Sequence, residues 1–367
     1  MLAILGTRGI PARHGGFETF AERLALHLAG RGWDVEVYCQ DDTPSDGPLE
    51  WRGVQLRRVH AGLPGPLGTL AFDWRALRQA TGGEPRLLLT LGYNSGVFAL
   101  LSRWRGRINL ANMDGIEWRR AKWSLPVRIW FRINEAAACR FHNHLIADHP
   151  AIASHLETWA ARRHITTIPY GADSIEAADP APLAGLAVTP GSYALVIARP
   201  EPENSILEIV RAFSARPRGM RLVVLGDIPA DGNAYQRAVR AAAGPEVVLP
   251  GAIYDTATVA ALRCHCRLYI HGHQVGGTNP SLVEALGAAN PVLAHDNPFN
   301  RWVAGPGAVY FVNEAHCAER LDALLEMPAE GLEAMRSASR QRHREEFTWD
   351  AVLARYEELL AFWWQRV

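Results

Sequence analysis

The sequence has few cysteines and no long apolar run. Five cysteines in 367 residues are an odd and sparse set, which indicates free thiols in a reducing compartment rather than a disulfide framework. No run of about 18 apolar residues occurs, so we expect no membrane-spanning helix. The first residues, MLAILGTRG, lack the basic start and long apolar stretch of a signal peptide. These absences predict a cytoplasmic protein.

Lysine is almost missing, because Lys122 is the sole lysine among 38 basic residues. The formal net charge is zero, yet residues 1–175 carry 21 basic against 16 acidic residues and the remainder 17 against 22. A basic first half indicates an anionic partner for that half. Apolar residues make up 48% and charged residues 21%, which is typical of a folded globular protein.

Short apolar runs alternate with helix-length amphipathic stretches along the whole chain, as in a parallel, doubly wound α/β sheet. The first half contains the predicted strands 2–5, 35–39, 86–92, 108–114, 144–148 and 165–171. After a stretch rich in Ala, Pro and Gly at 172–192, taken as a linker, the predicted strands are 193–198, 221–227, 246–251, 267–272, 291–296 and 308–312.

These patterns predict two domains of similar size that face a cleft. The first covers residues 1–173 together with a C-terminal helix at 348–367, and the second covers residues 190–347. Ligands of such sheets bind beyond the carboxyl ends of the strands. Chemistry-bearing residues at those ends are therefore the candidates for a ligand site.

The stretch VGGTNPSLVEALG at 275–287 follows a predicted strand and begins a helix. Gly276 and Gly277 allow a phosphate to approach the backbone, and amides at a helix start attract anions. Thr278 or Asn279 can cap the helix, and Pro280 suits its first position. The stretch is consistent with a nucleotide-diphosphate site or with a well-capped structural helix.

One acid follows inside the same helix. Helical side chains lean toward the N-terminus, so Glu284 is expected to point back to the helix entry. A carboxylate there is a good acceptor for two adjacent hydroxyls, as on a ribose. The alternative is a solvated helix residue.

A second glycine-rich loop, GTRGIPARHGGFETF, follows the first strand. Gly15 and Gly16 precede a helix there, beside Arg13 and His14. The loop does not supply the G-x-G-x-x-G of a dinucleotide fold, and the second strand does not end in the acid that contacts a ribose. An NAD-dependent enzyme is therefore disfavoured.

The strand at 193–198 is followed by Arg199. Its position is at the carboxyl end of that strand, where the phosphate loop is also expected. The planar fork of arginine binds diphosphate oxygens in pairs. An arginine after a strand is also a common surface residue.

Together these motifs resemble the retaining family 4 glycosyltransferases of GT-B fold, over nearly the whole chain. The segments GTRGIPARHGGFETF, DGIEWRRAKW and HGHQVGGTNPSLVEAL are similar to the rhamnosyltransferase branch, which builds bacterial surface polysaccharides. The segment IPYGAD at 168–173 matches the hinge-side signature, and the terminal helix resembles the one that crosses back onto the first domain.

The resemblance implies roles for individual residues. Glu284 matches the acid that binds the nucleotide ribose, Arg199 matches the basic residue on the donor diphosphate, and Asp114 lies where relatives place a polar residue beside the donor sugar. We thus expect Asp114 and Arg199 to be catalytic. The expected donor-binding set is Gly15, Gly16, Arg199, His271, His273, Gly277, Thr278, Asn279, Ser281, Leu282 and Glu284.

Two positions depart from the family pattern. Gly276 occupies the position where the family's Glu-x7-Glu motif has its first glutamate. Asn204 occupies the position where the family has a lysine shortly after the arginine. The first departure is shared with the rhamnosyl branch, so it indicates a changed donor sugar. His271 and His273 can replace some of the missing contacts.

No metal site is expected. The segment CHCRLYIHGH at 264–273 contains two cysteines and three histidines, but Cys-x-Cys lacks the spacing of usual zinc ligands. No Asp-x-Asp occurs, so the divalent-metal site typical of GT-A enzymes is absent from the sequence. We also expect no cofactor, with the nucleotide sugar as substrate.

The segment 118–132 mixes basic and aromatic residues. Arg119, Arg120, Lys122 and Trp123 are the expected membrane or acceptor surface, because such mixtures suit an anionic lipid surface. The alternative is a partly buried helix with arginines along its sides. Nucleic acid is not expected as a partner, since nothing else in the sequence supports it.

The resemblance implies an enzyme that transfers a hexosyl unit, rhamnosyl by branch, to a saccharide acceptor with retention of configuration. The acceptor is expected to be lipid-linked, with the protein peripheral on the inner face of a bacterial membrane. A double displacement would use Asp114 or Glu117 as nucleophile, whereas the family pattern favours reaction on one face. A sugar-nucleotide epimerase or hydrolase and a silent nucleotide-sugar-binding scaffold remain alternatives.

Overall fold

The computed structural model describes residues 1–12, 15–41, 49–84, 86–120 and 122–367. The chain divides into two compact units, one of Met1–Tyr170 with Trp349–Val367 and the other of Gly171–Thr348. Each contains one sheet with helices on it, and each is described in turn. The expected α/β class with two doubly wound domains is confirmed.

The first unit contains an eight-stranded sheet in the order β3-β4-β2-β1-β5-β6-β7-β8. Its strands are β1 Leu2–Leu5, β2 Val35–Asp41, β3 Leu49–Trp51, β4 Val54–His60, β5 Leu87–Leu91, β6 Asn109–Asn112, β7 His144–Ala147 and β8 Ile165–Thr167. All neighbours are parallel except β3 and β4, which form an antiparallel hairpin. The sequence patterns missed this hairpin.

Helices of the first unit cover both faces of its sheet, as buried parallel strands require. They are α1 Gly16–Gly30, α2 Gly65–Ala80, α3 Ala99–Trp104, α4 Leu125–Phe141 and α5 Pro150–Leu156, with short 3-10 turns at Gly96–Phe98, Glu117–Arg119 and Arg162–His164. Strands β1 and β5 are the most apolar of the sheet and are almost fully buried. Strand β2 is buried over Val35–Cys39 and contains a buried charge. Glu36 in β2 is fully buried and accepts hydrogen bonds from Arg57 and Arg86 at 2.7 and 2.6 Å.

The second unit contains a six-stranded parallel sheet in the order β11-β10-β9-β12-β13-β14. Its strands are β9 Tyr193–Ile197, β10 Arg221–Leu225, β11 Val247–Gly251, β12 Leu268–His271, β13 Val292–His295 and β14 Val309–Phe311. Its helices are α6 Ile206–Ser214, α7 Ala234–Ala242, α8 Thr256–His265, α9 Pro280–Gly287, α10 Pro298–Ala304, α11 Glu314–Leu325 and α12 Ala329–Glu346, with 3-10 turns at Ala181–Leu186 and Pro202–Asn204.

The stretch 172–192, interpreted from sequence as a linker, belongs to the second unit. Leu183 and Val188 are 1% and 5% exposed and lie in its core. Its alanines, glycines and prolines therefore belong to a segment that packs on α8, and the stretch is not a free linker.

The last helix, α13 at Trp349–Trp364, packs within the first unit, as predicted. Tyr356 of this helix lies 4.7 Å from Phe20 of α1, centroid to centroid, and its hydroxyl accepts a 2.8 Å hydrogen bond from Asn112 of β6. His27 and Glu357 add a contact of 2.9 Å.

Candidate functional site

Most of the predicted donor residues lie where the strand order of the second sheet changes direction, and Gly15 and Gly16 lie in the first unit. From β9 the chain adds β10 and β11 on one side, then returns to add β12, β13 and β14 on the other. The crevice at such a switch point is the usual ligand site of doubly wound sheets. Exposed Arg199 follows β9, and the loop 272–279 follows β12, so both lie at this edge.

The two loops are joined by hydrogen bonds. The Gln274 amide donates to the Glu203 carbonyl at 2.9 Å, and its Nε2 donates to Ser205 Oγ at 2.8 Å. A Cβ at Gly272 would lie 2.2 Å from the Asn204 carbonyl, so only glycine permits this approach.

Asn204 occupies the position where the resembled family has a lysine. It is 3% exposed, and its Nδ2 donates to the Arg199 carbonyl at 2.8 Å. The side chain thus closes the turn that carries Arg199 and presents no charge to a ligand.

The helix entry has the predicted capping. Asn279 is the N-cap of α9, its Oδ1 accepts from the Ser281 amide at 3.0 Å, and Pro280 begins the helix. The amides of Leu282 and Val283 donate to the Asn279 carbonyl. Because the first helical amides are already bonded, an anion here would use amides of the loop before the helix. Gly276 in that loop has φ of +134° and open space where a Cβ would be.

Glu284 has a partner that the sequence did not indicate. Arg263 of α8 donates from Nη2 to Glu284 Oε2 and from Nη1 to the Ser281 carbonyl at 2.9 Å. The Arg263 side chain is 3% exposed, whereas that of Glu284 is 40% exposed. Since a carboxylate has about four acceptor positions, the ion pair orients Glu284 and leaves acceptor capacity on its exposed side.

Two members of the predicted donor set face the interior. Leu282 is fully buried in the core of the second unit, which leaves none of its side chain for a ligand. Ser281 Oγ bonds to Tyr269 OH at 2.7 Å and to the Ile197 carbonyl at 3.1 Å, so it fixes α9 on the sheet. Thr278 is 3% exposed, while Gly277 is partly exposed in the loop.

The two predicted histidines are stacked. The rings of His271 and His273 lie 4.3 Å apart at 10°. His271 is 1% exposed, and neither ring nitrogen has a hydrogen-bond partner. Burial, reinforced by nearby His273, Arg263 and His295, holds the pKa of His271 well below its usual value, so the ring is neutral. His271 thus supports His273, which is the partly exposed member of the pair.

In the first unit, Asp114 lies in the loop after β6, at the carboxyl edge of the sheet. It adopts a positive φ of 53°, a conformation that Asp tolerates better than most residues. Tyr93, which follows β5, holds this turn: its hydroxyl donates to the Gly115 carbonyl at 3.1 Å and accepts from the Glu117 amide at 2.7 Å. Asp114 is partly buried.

Gly15 and Gly16 lie on the same sheet edge, where the chain passes from β1 into α1 and Gly16 begins the helix. Gly15 is the N-cap of α1 with φ of +107°, and a Cβ there would meet Glu18 Oε2 at 2.1 Å. Arg13 and His14 of this loop lie outside the described residues.

Glu117 forms hydrogen bonds with two residues of the segment predicted as membrane or acceptor surface. The carboxylate accepts from Arg120 Nη1 at 2.8 Å and from Trp123 Nε1 at 3.0 Å. Arg119 stacks on Trp118 at 5.2 Å, and Lys122 on Trp123 at 4.7 Å. Arg119 and Lys122 are exposed.

Within the part of the chain that the structure describes, His, Cys, Asp and Glu side chains form no group of three or more that could hold a metal ion. In the Cys- and His-containing segment 264–273, His265 instead bonds to the Ala178 carbonyl at 2.8 Å, and Cys266 is fully buried.

Every helix in the described ranges is too short or too polar to serve as a transmembrane span.

The structure thus groups the predicted residues at two sheet edges. Those at the edge of the second sheet are Arg199, His271, His273, Gly277, Thr278, Asn279 and Glu284, and those at the edge of the first are Gly15, Gly16 and Asp114. Sequence reasoning missed Arg263. It also missed Asn297 and Asn300, whose Nδ2 atoms donate to the His273 carbonyl at 2.9 and 2.8 Å.

Two parallel-sheet α/β units of this kind, with a C-terminal helix returned to the first, have the GT-B fold of glycosyltransferases. The model of one family, described as a domain of unknown function (DUF1972), matches residues 1–173. No curated protein matches the sequence.

Solved structures of the same fold match over the full length of the chain. Sucrose-phosphate synthase from Thermosynechococcus elongatus has a TM-score of 0.82 at 19% identity, covering 100% of this chain and 99% of that chain. HepE from Anabaena, in complex with UDP and glucose, has a TM-score of 0.78 at 17% identity, covering 98% and 99%. The UDP-forming α,α-trehalose-phosphate synthase from Burkholderia xenovorans, in complex with glucose-6-phosphate, has 0.75 at 15%, covering 98% and 99%.

Proposed function

We propose that the protein is a glycosyltransferase that moves a hexosyl unit, rhamnosyl by sequence resemblance, from a nucleotide-diphosphate sugar to a saccharide acceptor. The observation that carries the proposal is the edge of the second sheet. There an exposed arginine, a glycine-rich loop and the oriented carboxylate of Glu284 meet at the switch point of a GT-B domain. One solved neighbour is in complex with UDP and glucose, and another is in complex with glucose-6-phosphate. These complexes support a nucleotide-sugar donor and a saccharide acceptor.

Each group has a defined chemical task. Glu284 accepts hydrogen bonds from ribose hydroxyls, and the loop amides near Gly276 and Gly277 face the diphosphate. Arg199 stabilises the charge that develops on the leaving phosphate, which is a main source of catalysis in such transfers. His273, stacked on neutral His271, offers a polar contact to the donor sugar where the usual first acid is missing.

The proposal includes retention of configuration through reaction on one face of the sugar. The leaving phosphate takes the proton of the acceptor hydroxyl, while Asp114 positions donor sugar and acceptor. The loop that carries Asp114 is fixed by Tyr93, which favours a positioning role. We further propose a family 4, rhamnosyl-branch enzyme of bacterial polysaccharide synthesis. It acts without metal or cofactor on a lipid-linked acceptor, as a cytoplasmic protein peripheral to the inner membrane face.

The first experiment separates the alternatives. Nucleotide sugars found by a thermal-shift screen are incubated with the protein alone and then with saccharide acceptors. Transfer only when acceptor is present supports the proposal. Turnover of the donor without acceptor would instead indicate an epimerase or hydrolase, and binding without turnover a scaffold protein.

The second experiment tests the phosphate role of Arg199. Charge-assisted hydrogen bonds contribute on the order of 1.5–3 kcal/mol, so Arg199→Ala should weaken UDP binding roughly 10- to 150-fold. The control is Arg211→Ala in the same unit, a half-exposed arginine that lies 3.8 Å from Glu314. Equal losses in both variants, measured by calorimetry, would show that Arg199 is an ordinary surface residue.

A further inference from the structure

The helix α4 carries apolar side chains on its outermost face. Leu125, Ile129 and Ile133 are 67%, 52% and 52% exposed. Their spacing of four residues places them on one stripe of the helix. The buried residues of α4 are Phe131, Asn134, Glu135 and Ala138, which lie on the opposite side. An ordinary surface helix has its polar face at that outer position.

The apolar stripe continues in character on α3, which packs beside α4. Leu100 and Trp104, one turn apart, are 52% and 80% exposed. Large exposed apolar side chains on two neighbouring helices are a mark of an interaction site.

Basic residues surround this apolar surface. On α4, Arg128 and Arg132 lie along one side of the stripe, and Arg140 lies at its end; all three are exposed. On and after α3, Arg103 and Arg105 are also exposed. Long arginine side chains beside an apolar stripe can reach lipid phosphates while the stripe enters the acyl region.

The local charge is strongly unbalanced. Residues 99–140 contain nine basic and three acidic residues. Two of the three acids are internally bonded: Glu117 to Arg120 and Trp123, and Glu135, 1% exposed, to Trp118 and His155. Positive charge therefore predominates on this segment of the described chain.

We propose that this α3–α4 face, defined by Leu100, Trp104, Leu125, Ile129 and Ile133 with the flanking arginines, docks on an anionic lipid surface. The combination of exposed apolar residues and one sign of charge fits lipid headgroups. It disfavours a second copy of the same face, since two positive surfaces repel. The inference deepens the proposed action on a lipid-linked acceptor and moves the membrane contact from Arg120 and Trp123 to the outer stripe.

The test measures binding of the full-length protein to vesicles, so it does not depend on activity. The variant Leu125→Gln/Ile129→Gln/Ile133→Gln changes exposed side chains to a good helix former. We expect binding to phosphatidylcholine–phosphatidylglycerol vesicles to weaken at least about tenfold. The control changes Trp159, Tyr254 and Val312, which are 44%, 72% and 53% exposed elsewhere, to Gln, and should bind like wild type.

A second variant tests the charge. Arg103→Gln/Arg140→Gln should weaken binding about 25-fold at low salt, since each basic residue near the surface contributes roughly fivefold. This loss should shrink as salt is raised, and pure phosphatidylcholine vesicles should bind wild type poorly. Circular dichroism and UDP affinity should stay unchanged in both variants, which keeps this result separate from that of the proposed function.

Two outcomes would overturn the inference. One is equal vesicle binding by wild type and the Gln triple variant. The other is a wild-type protein that does not bind vesicles but dimerises in light scattering, with the triple variant monomeric. The latter result would assign the face to a second copy of the chain.

Discussion

Replacing Glu284 with alanine probes ligand binding and stability at once, because the residue has an internal partner. Without the carboxylate, the buried Arg263 guanidinium keeps the Ser281 carbonyl at 2.9 Å and the Tyr269 ring at 5.7 Å but loses its counter-charge. Breaking a fully buried pair costs about 3–5 kcal/mol. Glu284 is 40% exposed, so water can reach the gap, and we expect a loss of about 1–2 kcal/mol in unfolding free energy.

The effect on donor binding has a separate origin. If the carboxylate accepts from two ribose hydroxyls, each bond contributes on the order of 1.5–3 kcal/mol. UDP affinity of Glu284→Ala should then fall at least tenfold, and Glu284→Gln, which keeps an acceptor oxygen without the charge, should be intermediate. A 2′-deoxy UDP offers one hydroxyl, so its penalty should be about half as large in free energy.

A matched variant separates the two effects. Val283 precedes Glu284 in α9 and is fully buried, so Val283→Ala should lower stability while leaving Glu284 and Arg263 in place. Urea unfolding should show a loss in both variants, and calorimetry should show weaker UDP binding only in Glu284→Ala. Equal UDP affinity in wild type and Glu284→Ala would mean that Glu284 serves only Arg263. The nucleotide interpretation of residues 275–287 would then lose its main support.

Three further predictions follow from charged groups. Activity should persist in EDTA, because the sequence has no Asp-x-Asp; complete loss that Mg²⁺ or Mn²⁺ restores would contradict the metal-independent proposal. Burial raises the pKa of Asp73 from 3.8 to about 6, partly offset by Ser95. The unfolded chain thus loses this proton first, and stability should fall as pH rises from 4 to 6. Asp73→Asn should remove that dependence and stabilise the protein above pH 6 by up to about 3 kcal/mol in urea unfolding; an unchanged pH profile would refute it. Glu36→Gln should cost about 2–4 kcal/mol, because Arg57 and Arg86 lose their shared buried carboxylate; a loss below half of that would show that water solvates the arginines.

Strands buried on both faces could be predicted from the sequence, because burial on both faces selects a continuous apolar run. The hairpin of β3 and β4 could not be found in the same way. Strand β3 is the edge strand of the sheet, and its neighbour β4 alternates buried and less buried residues instead of forming an apolar run. The signal that was available is the turn Arg52-Gly53, with φ of 52° and 81°, which suits a two-residue hairpin.

The same difference between local and long-range contacts decides which parts of the candidate site the sequence predicts. The cap at Asn279 and Pro280 depends on residues within one turn, so the sequence predicts it. The Arg263–Glu284 pair joins two helices across 21 residues of chain, and the amides on the His273 carbonyl come from a third helix end. Residue type alone does not reveal such partners, because they depend on how the helices pack on the sheet.

The missing first acid illustrates how backbone and side chain are coupled at this site. The space around Gly276 is open, so a side chain would meet no neighbour there. Its φ of +134°, however, is a conformation that only glycine adopts without strain. A glutamate at 276 would therefore have to rearrange the loop that brings amides to the helix entry. The departure from the two-acid pattern thus belongs to the loop conformation as a whole. Under the proposed function, other groups contact the donor sugar, and His273 at the adjoining strand end is one of them.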